Sequence, residues 1–227
     1  MLVSVLGCQA ALPSPDRAPL LDTEEPPIPP LAHTPGRRVA LLVEPTPFTH
    51  VSGYTNRFKE MLHHLKLAGD TVEVITPDDS ADRPASFEGI PITYVPGFRL
   101  PFYKEVQLTL DLRGRARQAL RRFRPDLIHA VAPGVFVILA IAYARLLRVP
   151  LLISYHTHLP AYVTRYVRLP GLRQLALAFV NWIIPATLNR ADLALATSPQ
   201  LQAQLLALGC RHVQVRPVGP CTVLWCE

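Results

Sequence analysis

Between Arg38 and Val215, short aliphatic or β-branched runs alternate with loops holding Gly, Pro or Ser and then with stretches of helical period. This rhythm restricts the fold more than any other feature, because strands separated by helices must pair in parallel and be covered on both faces. The first unit shows it best. Arg38 to Val43 is a continuous apolar run, the loop Glu44 to Gly53 follows, and Phe58, Met61, Leu62, Leu65 and Ala68 then recur at three- and four-residue spacing before Gly69. Further strands are predicted at Thr71–Thr76, Ile90–Val95, Asp126–Ala130, Leu151–Tyr155, Asp192–Ala196 and His212–Val215. Helices are predicted at about Asp111–Phe123, Gly134–Leu147, Leu172–Asn189 and Pro199–Leu208. The expected class is α/β, with a Rossmann-like, doubly wound parallel sheet.

A chain of 227 residues with 49% hydrophobic content can bury one sizeable core. Eight prolines between Pro13 and Pro35 and little periodicity predict a disordered leader over 1–36, ahead of a domain over 37–216 and an atypical tail over 217–227. The first residues, Met1 to Leu12, lack the basic flank of a secretory signal and the Arg- and Ser-rich character of a transit peptide. No apolar run approaches the ~18–20 residues that span a bilayer. Cys8, Cys210, Cys221 and Cys226 show no CxxC spacing, so neither a zinc site nor a disulfide framework is expected, and a reducing compartment is. The net charge of +6 understates the basicity of the domain, since the leader sets Arg17 against Asp16, Asp22, Glu24 and Glu25. Such an excess suits phosphates or an anionic membrane, and equally a plain solvated surface.

Ligands of doubly wound sheets collect beyond the carboxyl ends of the strands, which directs attention to four loops. In 44–58, Ser52 and Gly53 stand just before a helix, where free backbone N–H groups attract an anion such as a diphosphate; a simple turn glycine is the other reading. Arg57 is a phosphate contact or a solvated helix residue. In 155–166, His156 lies just beyond its strand and His158 two residues on, without a nearby carboxylate or cysteine to make a metal site. His156 is therefore catalytic or structural. Tyr155, Tyr162 and Tyr166 line a sugar or head-group site, or pack. His129 is expected to end its strand before the turn Ala132-Pro133-Gly134 and to serve packing, and Ser198 to cap the next helix or line the cleft. Arg113, Arg117, Arg121 and Arg124 fall on one predicted helical stripe. With the exposed-looking loop Phe98 to Lys104, including Phe102 and Tyr103, they form either a solvated basic edge or a patch for anionic lipid. No nucleic-acid-binding motif accompanies these arginines.

The segments EPTPFTHVSGYTNRF, FRPDLIHAVAPGVF, LLISYHTHLPAYVTRY and RADLALATSPQL resemble, in order, the N-terminal domain of family-4 glycosyltransferases, in particular the sulfolipid-forming members. The resemblance covers about residues 37–215. It implies the N-terminal, acceptor-side half of a GT-B enzyme, whose second domain, holding the nucleotide, is missing from this chain. It implies transfer of sulfoquinovose from UDP-sulfoquinovose to diacylglycerol with retention at the anomeric carbon, without metal or cofactor. The compartment implied is the chloroplast in a eukaryote, with peripheral membrane contact through Phe102, Tyr103, Arg113, Arg117 and Arg121. By the same resemblance, Ser52, Gly53, Tyr54 and Arg57 face the donor diphosphate and sugar, and His156 faces the transferred sugar. Tyr155, Thr157, His158, Tyr162 and Ser198 then line the acceptor side of the cleft. The chain alone is expected to be inactive. Two other classes compete: a non-catalytic Rossmann fragment that binds lipid head groups or a protein, and a nicotinamide oxidoreductase, against which the missing GxGxxG counts.

Overall fold

The computed structural model describes residues 36–50, 55–100 and 103–215. In chain order the elements are β1 (Arg38–Leu42), α1 (Thr55–Leu67), β2 (Thr71–Pro77), β3 (Ser86–Phe87), β4 (Ile90–Val95), β5 (Gly97–Leu100), β6 (Tyr103–Thr109), α2 (Arg115–Phe123) and β7 (Leu127–Ala132). There follow α3 (Val135–Leu147), β8 (Leu151–Tyr155), α4 (Leu159–Tyr166), α5 (Pro170–Leu188), β9 (Leu193–Ala196), α6 (Pro199–Ala207) and β10 (Val213–Val215). Eight strands form one sheet in the order β10-β9-β8-β7-β1-β2-β4-β3, parallel except for the antiparallel β3–β4 pair at its edge. The chain crosses from one half of the sheet to the other between β1 and β7, which makes that crevice the topological switch point.

Period-two alternation explains why β1 is apolar throughout. Val39, Leu41 and Val43 point to one face and pack with Phe58 and Leu62 of α1, while Ala40 and Leu42 point to the other and join Leu120 of α2 and Phe136 of α3. The expected doubly wound α/β sheet is the one observed.

Three details differ from the sequence expectations. The helix predicted from Asp111 starts at Arg115, because the Asp111 carboxylate accepts the backbone N–H groups of Arg115 at 2.7 Å and Ala116 at 2.9 Å and so caps it from outside. Arg113 consequently lies ahead of the helix, in the turn closed by Gly114 at φ 66, and Arg124 follows it in the left-handed region, so only Arg117 and Arg121 of the predicted stripe are helical, both exposed. The segment expected to be a loop over Phe98 to Lys104 belongs to the β5–β6 hairpin, with Phe98 paired to Leu108. Phe102 lies outside the described residues, and Tyr103 opens β6. Lastly, His129 does not end its strand: β7 continues to Ala132 and buries His129.

Candidate functional site

Because the strands run parallel, the loops after β1, β7, β8 and β9 emerge at one edge of the sheet, where the four unusual segments meet. At the switch point the chain leaves β1 through Glu44, which is only 2% exposed. One carboxylate oxygen accepts the Phe136 N–H at 2.9 Å and the other the Thr109 N–H at 2.7 Å. Glu44 thus ties the β1 loop to the start of α3 and to the end of β6. Burial pushes its carboxyl above the ordinary value, against the pull of the backbone amides of Phe136, Thr109 and Val135. Gly134 makes this possible: a Cβ there would stand 2.2 Å from a Glu44 carboxylate oxygen. An internal carboxyl group therefore occupies the N-terminus of α3, the end of the helix that would otherwise attract a phosphate. Sequence reasoning missed Glu44, although an acid directly after a wholly apolar strand at the ligand edge of such a sheet was the available signal.

Across the crevice three polar side chains rise from the face of the sheet that α1 covers. His129 shares this face with Val131, which packs in the same cluster as Phe58. His129 Nε2 and His156 Nε2 each lie 2.9 Å from Ser154 Oγ. His129 and Ser154 are buried and His156 half-buried. A hydroxyl has one proton to give, so Ser154 donates to at most one of the two imidazoles and accepts an N–H from at least one, which couples the two ring tautomers. The Phe58 ring, at 5.3 Å between centroids, holds the His156 ring from the side of α1. His156 thus sits at the strand's C-terminal end with its ring fixed by a hydrogen bond and an aromatic contact. Ser154 was not singled out in the sequence; its polarity within a buried strand was the signal.

The remaining candidates divide. Arg57 is half-buried in the first turn of α1, whereas Ser52, Gly53 and Tyr54 lie outside the described residues. Tyr155, expected to line the cleft, instead belongs to the core at 2% exposed; its hydroxyl accepts the Leu159 N–H at 3.2 Å, and burial raises its pKa to about 12. Thr157 is half-buried and His158 exposed, both in the link to α4. Tyr162 stands on α4, stacked on Tyr166 at 6.0 Å. Ser198 caps α6, accepting the Leu201 N–H at 3.2 Å. Among the described residues no group of three or more His, Cys, Asp or Glu gathers as a metal site. A cleft lined by Arg145, Arg148, Arg190 and Asp192 opens at the other edge of the sheet, away from this constellation.

Residues 51–220 match the family described as Glycosyltransferase Family 4. The chain is 40% identical over 193 residues to the sulfoquinovosyl transferase SQD2 of Arabidopsis thaliana, covering 85% of this chain and 35% of that protein. It is 31% identical over 184 residues to a GDP-mannose-dependent alpha-mannosyltransferase of Mycobacterium tuberculosis, covering 78% of this chain and 46% of the relative. Among solved structures, a Glycyrrhiza uralensis UGT73P12 complex aligns with a TM-score of 0.47 at 15% identity, over 83% of this chain and 49% of that one, a likeness too loose to bear on function. The chain thus spans about a third to a half of the length of these relatives, and within that span it belongs to glycosyltransferase family 4.

Proposed function

We propose that this chain forms the acceptor-side wall of a glycosyltransferase that moves sulfoquinovose from UDP-sulfoquinovose to diacylglycerol, with retention at the anomeric carbon and without a metal. The observation that carries the reading is the 40% identity to the Arabidopsis sulfoquinovosyl transferase over 85% of the chain. In the reaction the bond from the anomeric carbon to the diphosphate oxygen breaks and a bond to the acceptor hydroxyl oxygen forms. The hydroxyl proton is released and UDP leaves. Negative charge grows on the diphosphate, which the N–H groups opening α1 and the cation of Arg57 are suited to stabilise, with Ser52 and Gly53 assigned to the same role from their place in the sequence. Tyr54 and the half-buried His156 are assigned to the donor sugar, and Thr157, His158 and Tyr162 to the acceptor side. Tyr155 and Ser198 act on that side through the backbone they hold, at Leu159 and Leu201. A chloroplast location, in a eukaryote, and peripheral membrane contact belong to the same proposal.

The chain holds one wall of such a cleft, and we expect the transfer to need the segment that its relatives carry beyond the shared span. Holding reactants in place accounts for ~7–11 kcal/mol of a barrier, and a single wall forfeits much of it. The test incubates residues 1–227 with UDP-sulfoquinovose and diacylglycerol vesicles, beside the same chain extended by the C-terminal part of a related enzyme. Sulfolipid formed only by the extended protein supports the reading; no sulfolipid from either, with transfer of another sugar by the extended one, overturns the assigned donor.

A further inference from the structure

We propose that the solvent face of α4 and α5 is a docking surface for an anionic lipid bilayer. The helix α5 buries Val180, Ile184 and Leu188 against the core. Leu172, Leu175, Phe179 and Trp182 recur at spacings of three, four and three and therefore share a face pointing away from that core. Tyr162 and Tyr166 extend the apolar surface onto α4, which has no fully buried residue and packs against α5. These six side chains are each between 50% and 68% exposed. Scattered exposed apolar residues are ordinary, whereas a stripe over about three turns of α5 and one of α4 marks a surface that meets another apolar phase.

Charge indicates what that phase is. From His156 to Ala191 there is no Asp or Glu, while Arg165 and Arg168, close in sequence to Tyr162 and Tyr166, are exposed. Tyr and Trp rings seat at the head-group level of a bilayer, and arginines beside them pair with lipid phosphates. A second copy docked by the same face would set arginines against arginines with no acid between them. Among the described residues no helix is long and apolar enough to cross a membrane, so the surface lies on the bilayer instead of through it. The basic α2 is a separate candidate, but its exposed arginines, Arg115, Arg117, Arg121 and Arg122, have no exposed aromatic residue on their own helix. Position adds a reason. The chain enters α4 from the C-terminal end of β8, beside His156, and leaves α5 just before β9 begins, so the stripe runs from the ligand edge to the opposite one. A bilayer on this face meets the protein next to the site, which rests on the proposed lipid acceptor; the binding itself does not.

The experiment is flotation of the 227-residue chain with vesicles of phosphatidylcholine alone or mixed with phosphatidylglycerol, at low and high salt. The Trp225→Phe variant leaves Trp182 as the one indole and reports its burial by a fluorescence blue shift. Wild type is expected to float with anionic vesicles, with the blue shift, and less at high salt. Phe179→Ser with Trp182→Ser is expected to weaken binding by about tenfold or more at an unchanged melting temperature, since both side chains are exposed. Arg165→Gln with Arg168→Gln should remove the preference for phosphatidylglycerol. Unaltered binding of the Phe179/Trp182 variant, no blue shift on flotation, loss only with Arg117→Gln and Arg121→Gln, or a dimer that this variant dissociates would each overturn the proposal. Vesicle binding with no sulfolipid formed by the extended enzyme would remove the proposed activity alone, and transfer to lipid by the extended enzyme with no effect of the α5 changes would remove this surface alone.

Discussion

Glu44 shows how one buried acid shapes the site. Its carboxyl is pushed above the ordinary value of 4.5 by desolvation, even though backbone amides pull the other way. An acid whose folded value lies above its unfolded one favours the folded state at low pH; that contribution is complete below the ordinary value and is lost as pH rises through the raised one. Glu44→Gln removes the titration. The unfolding free energy of wild type minus that of Glu44→Gln should therefore fall as pH climbs from about 4, by no more than about 1.4 kcal/mol per unit. Urea melts of both proteins across this range supply the difference, and a constant one would mean that Glu44 keeps its unfolded affinity for protons. Ser154 calls for another measurement. Its hydroxyl bridges His129 and His156, so Ser154→Ala should change the tautomer mixture of His156, visible in ring nitrogen shifts, with little loss of stability. In the extended enzyme it should lower turnover by about tenfold, and His156→Ala by about 2–4 kcal/mol of transition-state stabilisation. Unaltered ring shifts and turnover in Ser154→Ala would reduce the serine to packing.

At the scale of elements, Asp111 joins two helices. Its carboxylate caps α2 through the N–H groups of Arg115 and Ala116 and accepts the Tyr143 hydroxyl of α3 at 3.1 Å. Burial, and then the charge of Asp111, raise the Tyr143 pKa to about 12. Asp111→Ala leaves these donors without their acceptor and should cost about 1–3 kcal/mol, seen as a lower urea midpoint, with Tyr143 titrating at lower pH. A variant as stable as wild type would show that water replaces the carboxylate. The same helix shows what could be read from sequence. Ala116, Leu120 and Phe123 declare a buried face by spacing alone, whereas the cap moves the start by four residues through contacts that spacing does not encode. The hairpin of β5 and β6 escaped because its buried positions include Gln107 and Thr109, so polar residues face inward and the usual alternation is inverted. α4 escaped because its apolar residues are mostly exposed. The parallel strands were legible because burial on both faces leaves uninterrupted aliphatic runs. His156 was legible by its place after such a run; Ser154 and Glu44, which hold the site together, depend on partners distant in sequence.

For the whole molecule, the relatives bear on how labour is proposed to divide along the chain. The shared span aligns both with a sulfoquinovosyl transferase, over 35% of its length, and with GDP-mannose-dependent alpha-mannosyltransferases, over 46% of one of them. One span thus aligns with relatives whose names carry two different sugars. Its switch point, moreover, is filled by the Glu44 carboxyl group, which already takes a backbone N–H at the start of α3. Both facts support the proposal that the nucleotide is chosen outside this span, with His156, the start of α1 and the acceptor side assigned to the present chain. A chimera of residues 1–215 with the C-terminal part of the mycobacterial mannosyltransferase should then consume GDP-mannose and leave UDP-sulfoquinovose untouched. The acceptor should still be the one used by this chain in its own extended form, since the wall that receives it is unchanged. Product release is measured for both donors with the same acceptor vesicles. A chimera that folds, shown by its melting transition, and yet turns over only the UDP-sugar would place donor choice within residues 1–215, and the division of labour drawn here would fail.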